Sequence, residues 1–323
     1  MATRFTTLAL SVLVLAAWNP GLVAAQEYLP LDLTDRGYQE ESYPRLTQIA
    51  DGVYTYEGLM SNSGQHWRFT INNLVVVTDE GVLLGDAQGS PEATQALVDE
   101  IAKITDQPIK YLVVGSDHTT QQGGNSVLPQ DIKVFAHPSS AVVMGVRASA
   151  PDATADASLV PTDFVTDKRV LQLGGKEIHI LHLGRARSGG DLLVHLPKEK
   201  IIYTTQIFNG GVFPAISPGF PTEWLEVLNK LQAMDIDFYV PGHGFIDSAE
   251  RMEQELDMQK KAHMAVIAEA TRLHDAGVPV DRAAERARFG ELEQWTMRAQ
   301  QGPIAVRRIY QELNGELPPK SGN

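Results

Sequence analysis

From Leu46 to Val114 short apolar, β-branched runs alternate with turn residues, a period that marks strands. Ile49-Ala50-Asp51-Gly52-Val53-Tyr54 predicts two strand pieces around an Asp-Gly turn. Phe69 to Val77 and Gly81 to Gly85, joined by Thr78-Asp79-Glu80, predict a hairpin. Ser90-Pro91-Glu92 then opens a helix with a capping residue, a proline at its first position and an acid in its first turn. That helix runs to about Ile104, with Ala96, Leu97, Ile101 and Ile104 on one face. Strands follow at Ile109 to Val114 and Asp131 to Ala136, then a helix from Ser139 to Ser149 and a connection from Pro151 to Pro161.

The second half repeats the style. Val170–Leu173, Glu177–Leu183, Asp191–Leu196 and Lys200–Thr204 predict four strands. Pro221 to Met234 is an amphipathic helix with Trp224, Leu225, Leu228 and Leu231 inward, and Asp237 to Val240 a last strand. From Ser248 the period is helical throughout: Ser248 to Ala276, Val280 to Arg288 and Glu291 to Leu313. Two halves that each begin in strands and end in helices suggest an α/β sandwich of two mixed β-sheets with helices on both outer faces. The expected organisation is a leader at 1–25, an arm at 26–45, the sandwich at 46–247 and a helical extension at 248–323 packed on it as an edge cap or a dimer contact.

Charge and composition narrow the function. A net charge of −13 excludes a nucleic-acid binder, which needs a basic face, and disfavours anionic lipid surfaces. Arg4, the apolar run Leu8 to Ala17 and the small residues Val23 and Ala25 read as a secretory signal cleaved before Gln26, which implies a periplasmic or secreted protein free of the membrane after cleavage. No cysteine is present, so disulfides and thiolate ligands are excluded.

The candidate chemistry sits where strands end. Val113-Val114-Gly115-Ser116-Asp117-His118-Thr119-Thr120-Gln121-Gln122-Gly123-Gly124 leaves a buried strand as a polar loop. It resembles the metal-binding signature of the metallo-β-lactamase superfamily, a strand ending in His-x-His-x-Asp-His followed one residue later by Gly-Gly. With Gly123-Gly124 as anchor, the ligand positions fall on Ser116, His118, Thr120 and Gln121. Gly184-Arg185-Ala186-Arg187-Ser188-Gly189-Gly190-Asp191 is similar to the family's Gly-x-x-His-Thr-x-Gly-Asp segment and puts Arg187 at the third histidine. Ile201 to Gln206 resembles the segment that ends in the bridging aspartate, with Gln206 in its place. Pro241-Gly242-His243-Gly244 matches the last motif, so His243 keeps its ligand position. The resemblance covers about Asp51 to Gly244 and implies the four-layer αββα fold.

Of these seven positions only His118 and His243 remain metal donors. Neutral Ser, Thr and Gln oxygens are poor zinc ligands beside imidazole or carboxylate. Arg187 brings a fixed cation. A unit charge about 4 Å from a dication, at an effective dielectric of roughly 20, costs about 8 kcal/mol, twice the single-charge figure. The expectation is a dismantled dinuclear site with no cofactor, in which Ser116, Asp117, Thr120, Gln121, Arg187 and Gln206 line a cleft for a small anionic molecule or a protein partner. Asp117 leaves the strand on the opposite face from Ser116 and His118 and reads as an acid bonding loop amides. Asp86, after the Gly81 to Gly85 strand, reads as structural. Two rivals stand beside this reading. One is a hydrolase using a single zinc on His118 and His243, or no metal and a pair such as His118 with Thr120. The other is a structural subunit that forms an oligomer through its C-terminal helices.

Overall fold

The computed structural model describes residues 33, 36–61, 68–149 and 159–319. The leader read at 1–25 and most of the connection read from Pro151 lie outside them. Strands β1 (Arg45–Ala50), β2 (Val53–Ser61), β3 (Arg68–Thr78) and β4 (Gly81–Gly85) form an antiparallel meander. Gly52, at φ +64°, makes the turn read from Asp51-Gly52. Helix α1 (Pro91–Ala102), capped by Ser90 Oγ accepting from the Ala93 amide at 3.2 Å, crosses over to β5 (Ile109–Val113), parallel to β4. The short helix α2 (Thr119–Gln122) follows, then β6 (Lys133–Ala136), α3 (Pro138–Ala148) and β7 (Asp163–Phe164), which complete a seven-stranded mixed sheet in sequence order.

The second sheet has five strands. β8 (Lys168–Leu173), β9 (Lys176–Leu181), β10 (Leu193–Leu196) and β11 (Ile201–Tyr203) are antiparallel neighbours, and α4 (Pro221–Gln232) leads to the edge strand β12 (Phe238–Val240), parallel to β11. The period of two decides the layers. Leu74 and Val76 of β3 face Ile178, Ile180, Val194 and Ile201 of the second sheet, while Val75 between them faces Leu97 and Ile101 of α1. On the far side Trp224, Val227, Leu228 and Leu231 of α4 cover Leu193 and Ile202. The result is an αββα sandwich, as expected.

Helices α5 (Ala249–Asp275), α6 (Val280–Arg286) and α7 (Arg298–Leu313) form the C-terminal segment. Met252 and Leu256 of α5 join the core beneath α4, and α5 runs beside the edge strand β12. Its later turns, through Ala262, Val266 and Ala270, pack with Val306 and Ile309 of α7 and with Phe213 and Ile216 of the sandwich. The single helix expected from Glu291 to Leu313 is broken. A 3-10 turn covers Gly290–Gln294, and Met297 sits at φ +67° before α7 begins. The cause is tertiary: Phe213 donates its amide to Thr296 O at 3.0 Å, which pulls that stretch out of helical register. Arg36 of the arm pairs with the buried Glu255 of α5 at 2.7 Å. Among the described residues no helix is long and apolar enough to cross a membrane.

Candidate binding site at the strand ends

Asp86 organises the loop that leaves β5. It follows β4 at φ +60°, fully buried, and its carboxylate accepts from Gly115 N (2.7 Å), Gln122 Nε2 (2.9 Å), Tyr203 OH (2.8 Å) and Thr205 Oγ1 (2.8 Å), with Ser116 N at 3.4 Å. Burial pushes its pKa up to about 7, against hydrogen bonds that favour the anion. The loop therefore hangs from one carboxylate shared with β11, which brings residues 115–122 beside Thr205 and Gln206.

The loop then closes as α2. His118 caps it, with Nδ1 accepting from the Thr120 amide at 3.3 Å. Gly123 and Gly124 fit here for want of space. A Cβ on Gly123 would lie 2.3 Å from Gly89 O, and one on Gly124 1.9 Å from Thr94 Oγ1. Neither has a positive φ, so close approach to α1, and not a special turn, explains the pair.

The other end of the site comes from the loop after β12. Asn72 Nδ2 donates to Pro241 O (3.0 Å) and Gly244 O (2.7 Å), and Thr70 Oγ1 to Gly244 O (2.6 Å). This stitches Pro241–Gly244 to β3. His243 Nδ1 lies 3.0 Å from Thr70 O; since a carbonyl only accepts, Nδ1 carries the hydrogen and Nε2 offers its lone pair. Thr70 and Asn72 were not singled out from the sequence, because two polar residues in a strand carry no motif.

Gln206 lies between these two walls. Its Nε2 is 2.7 Å from His243 Nε2, 2.5 Å from Gln121 Oε1 and 3.1 Å from Thr120 Oγ1, so one amide nitrogen faces three acceptors. Thr120 Oγ1 is also 2.8 Å from His118 Nδ1 and bonds Gln121 Oε1. Thus His118, Thr120, Gln121, Gln206 and His243 form one hydrogen-bonded cluster. Ser116 is fully buried and turned toward Asp191, whose carboxylate it helps to hold charged.

Arg187 is 7% exposed, and its Nε has no hydrogen-bond partner. Burial above all, with the Arg187 charge adding to it, holds the His118 and His243 imidazoles neutral: His118 is lowered to about 3 and His243 to about 4. Asp117 does not bond loop amides as expected; Asp86 does that. Asp117 instead shares a buried electrostatic group with Asp191, Arg147 and Arg187, in which burial first and then Asp191 raise its pKa to about 6. Among the described residues, no three His, Asp or Glu side chains are grouped where they could hold a metal ion.

Sequence and structure comparisons bear on the fold. No family model matches the chain. The chain is 25% identical over 249 residues to the alpha subunit of 2,4-dinitroanisole O-demethylase of Nocardioides sp. (strain JS1661), covering 73% of this chain and 72% of that protein. It is 24% identical over 219 residues to the type 2 metallo-β-lactamase of Bacteroides fragilis, covering 64% of this chain and 82% of that one. Among solved structures, a metallo-β-lactamase from Pontibacter korlensis superposes with a TM-score of 0.57 at 19% identity, over 67% of this chain and 98% of that chain. The chain has the metallo-β-lactamase fold, and its relatives support membership of that superfamily.

Proposed function

We propose that this chain is an exported, non-hydrolytic member of the metallo-β-lactamase superfamily that binds a small anion where its relatives' metal-ligand motifs converge. The observation that carries the reading is Arg187, a guanidinium nine-tenths buried with its Nε unpartnered, beside a neutral imidazole. His118 stands beside it with Nδ1 engaged by Thr120, at 2.8 Å from its Oγ1 and 3.3 Å from its amide. A buried guanidinium with an unpartnered Nε suits a carboxylate, sulfate or phosphate group.

The donor set fits a zinc pair poorly. Three of the family positions, Thr120, Gln121 and Gln206, satisfy one another, and the Gln206 amide presents hydrogens to the acceptors a metal would need. Displacing that amide would leave His243 Nε2 and two oxygens around a cation, with Arg187 opposing it.

One observation favours a second reading. His243 has the tautomer a metal ligand needs, its Nδ1–H held by a backbone carbonyl and its Nε2 bare. A hydrolase with a single metal on His118 and His243 would use it.

Metal content and anion binding separate the two. Protein purified without chelator should hold less than roughly a tenth of an equivalent of zinc. Acetate, sulfate or inorganic phosphate at about 100 times its Kd should stabilise the chain by about 2.7 kcal/mol, an effect Arg187→Gln should abolish. Stoichiometric metal, or anions that leave unfolding unchanged, would overturn the anion reading. Combining Ser116→His, Thr120→Asp, Gln121→His, Arg187→His and Gln206→Asp should restore zinc binding if the motif alignment is right.

A further inference from the structure

We propose a second ligand site behind the Arg187 loop, a cavity of about 690 Å³ between the start of α3, the segment after β9 and one face of α4, which takes an uncharged planar molecule of amide or lactam type. This proposal is independent of the anion reading. The volume lies in the usual range for small-molecule sites.

The polarity of the lining excludes a strongly charged ligand. Glu223 and Glu226 of α4 face Arg185 and Lys230, two acids against two bases. Arg185 is committed to Glu223 at 3.0 Å through Nε, and Lys230 Nζ donates to Leu183 O at 2.7 Å. The formal charge of the wall is zero once both imidazoles are neutral.

Those imidazoles carry the specificity. The rings of His137 and His182 stack with centroids 4.3 Å apart and planes at 27°. His137 caps α3, its Nδ1 accepting from the Ser139 amide at 3.1 Å, so its hydrogen is on Nε2. His182 Nδ1 lies 3.1 Å from Asp191 O, which can only accept, so its Nε2 is bare. Neither Nε2 has a partner among the described residues. The two stacked rings that line the cavity thus offer one donor and one acceptor. Burial lowers both pKa values, that of His137 to about 4 with the neighbouring His182 contributing, which keeps the pair uncharged at neutral pH. An N–H beside a C=O on one rigid molecule matches that pair, whereas a carboxylate offers two acceptors and no donor.

The far side of the same wall carries Arg187. Ser140 Oγ donates to Gly190 O at 3.1 Å, and a Cβ on Gly190 would come within 2.9 Å of His137. The Asp191 carboxylate holds Ser188 N at 2.7 Å. The 188–191 loop thus packs directly against His137 of the cavity wall.

Succinimide is a suitable probe, with acetate and γ-butyrolactone, which lacks the N–H, as comparisons. Imidazole nitrogen NMR on the full chain should show saturable shifts at His137 and His182 with succinimide. Loss of one hydrogen bond should weaken butyrolactone about fivefold. His137→Ser keeps a helix cap but removes the ring and its Nε2–H, and should weaken succinimide at least as much. Val142, on the rim and 67% exposed, offers a variant that leaves both rings alone: Val142→Trp should block the cavity. Arg187→Gln should leave succinimide binding intact. Absent shifts at both rings, acetate shifting the His137 and His182 signals in Arg187→Gln as strongly as succinimide does, or succinimide binding unchanged in Val142→Trp would each overturn the proposal.

Discussion

Five donors converge on the Asp86 carboxylate, from β5's end, from Gln122 and from the β11 end; Gln122 Nε2 also reaches Ser116 O at 2.8 Å and Tyr203 OH reaches Asn72 O at 2.9 Å. Asp86→Ala would take from the buried Gly115 N and Thr205 Oγ1 the acceptor they use, while Gln122 and Tyr203 keep Ser116 O and Asn72 O, so we expect a loss of about 3 kcal/mol. Urea unfolding of the variant should show the lower midpoint with an unchanged slope. A loss below about 1 kcal/mol would mean that the 115–122 loop is held by something other than this acid. The same region shows what a motif alignment can and cannot deliver. It named Thr120, Gln121, Gln206 and His243 as neighbours because the family's motifs lie at strand ends. It could not say that the Gln206 nitrogen would face three acceptors, since that depends on where Thr70 O fixes the His243 hydrogen. Asp117 was misread for a related reason: strand alternation gave its face, but Asp86 supplied the amide acceptor first, leaving Asp117 to the arginines.

Glycines test whether an element sits where it does by backbone freedom or by close contact. Gly124 lies at the join of α2 and α1 with an ordinary φ of −112°, and its missing side chain leaves room for Thr94 Oγ1 and Ser90 O. Gly124→Ala must push α1 away from the site loop, at a cost we place at about 2–3 kcal/mol by analogy with overpacked cores. Gly145, inside α3 with nothing within 4 Å of its Cβ position, is the control. Gly145→Ala should stabilise by about 0.5–1 kcal/mol, because alanine loses less backbone entropy in a helix. Thermal melts of the two variants should therefore move in opposite directions. Where an element's own sequence decides its form, as in the β3–β4 hairpin or the Ser90-capped α1, the pattern predicted it. The break at Met297 was invisible because helical period continues on both sides of it. Only the pull of Phe213 on Thr296 O, from a strand-end loop some 80 residues earlier, ends the helix there.

Packing of the C-terminal segment on the sandwich gives the assembled protein an acid-sensitive joint. His263 of α5 is fully buried with its ring centroid 4.7 Å from that of Trp224, its Nδ1 bonded to Gln259 O at 3.0 Å and its Nε2 without a partner. Burial lowers its pKa to about 4, well below the 6.5 of a free histidine. The folded state resists the proton that the unfolded chain accepts. Stability is therefore intact above about pH 6.5 and falls as the pH drops from there to about 4, by up to about 3 kcal/mol for this one group. His263→Phe keeps a ring against Trp224 and removes the titration. At pH 8 the variant should match the parent within about 1 kcal/mol, since the bond it loses goes to a helical carbonyl that already accepts one N–H. At pH 5 it should be the more stable of the two, by an amount that grows as the pH falls. Other buried histidines, His243 among them, remain in both proteins and cancel in the difference. Parallel pH curves for parent and variant would show that His263 reaches solvent before the chain unfolds globally, and that α5 opens from the sandwich as a separate unit.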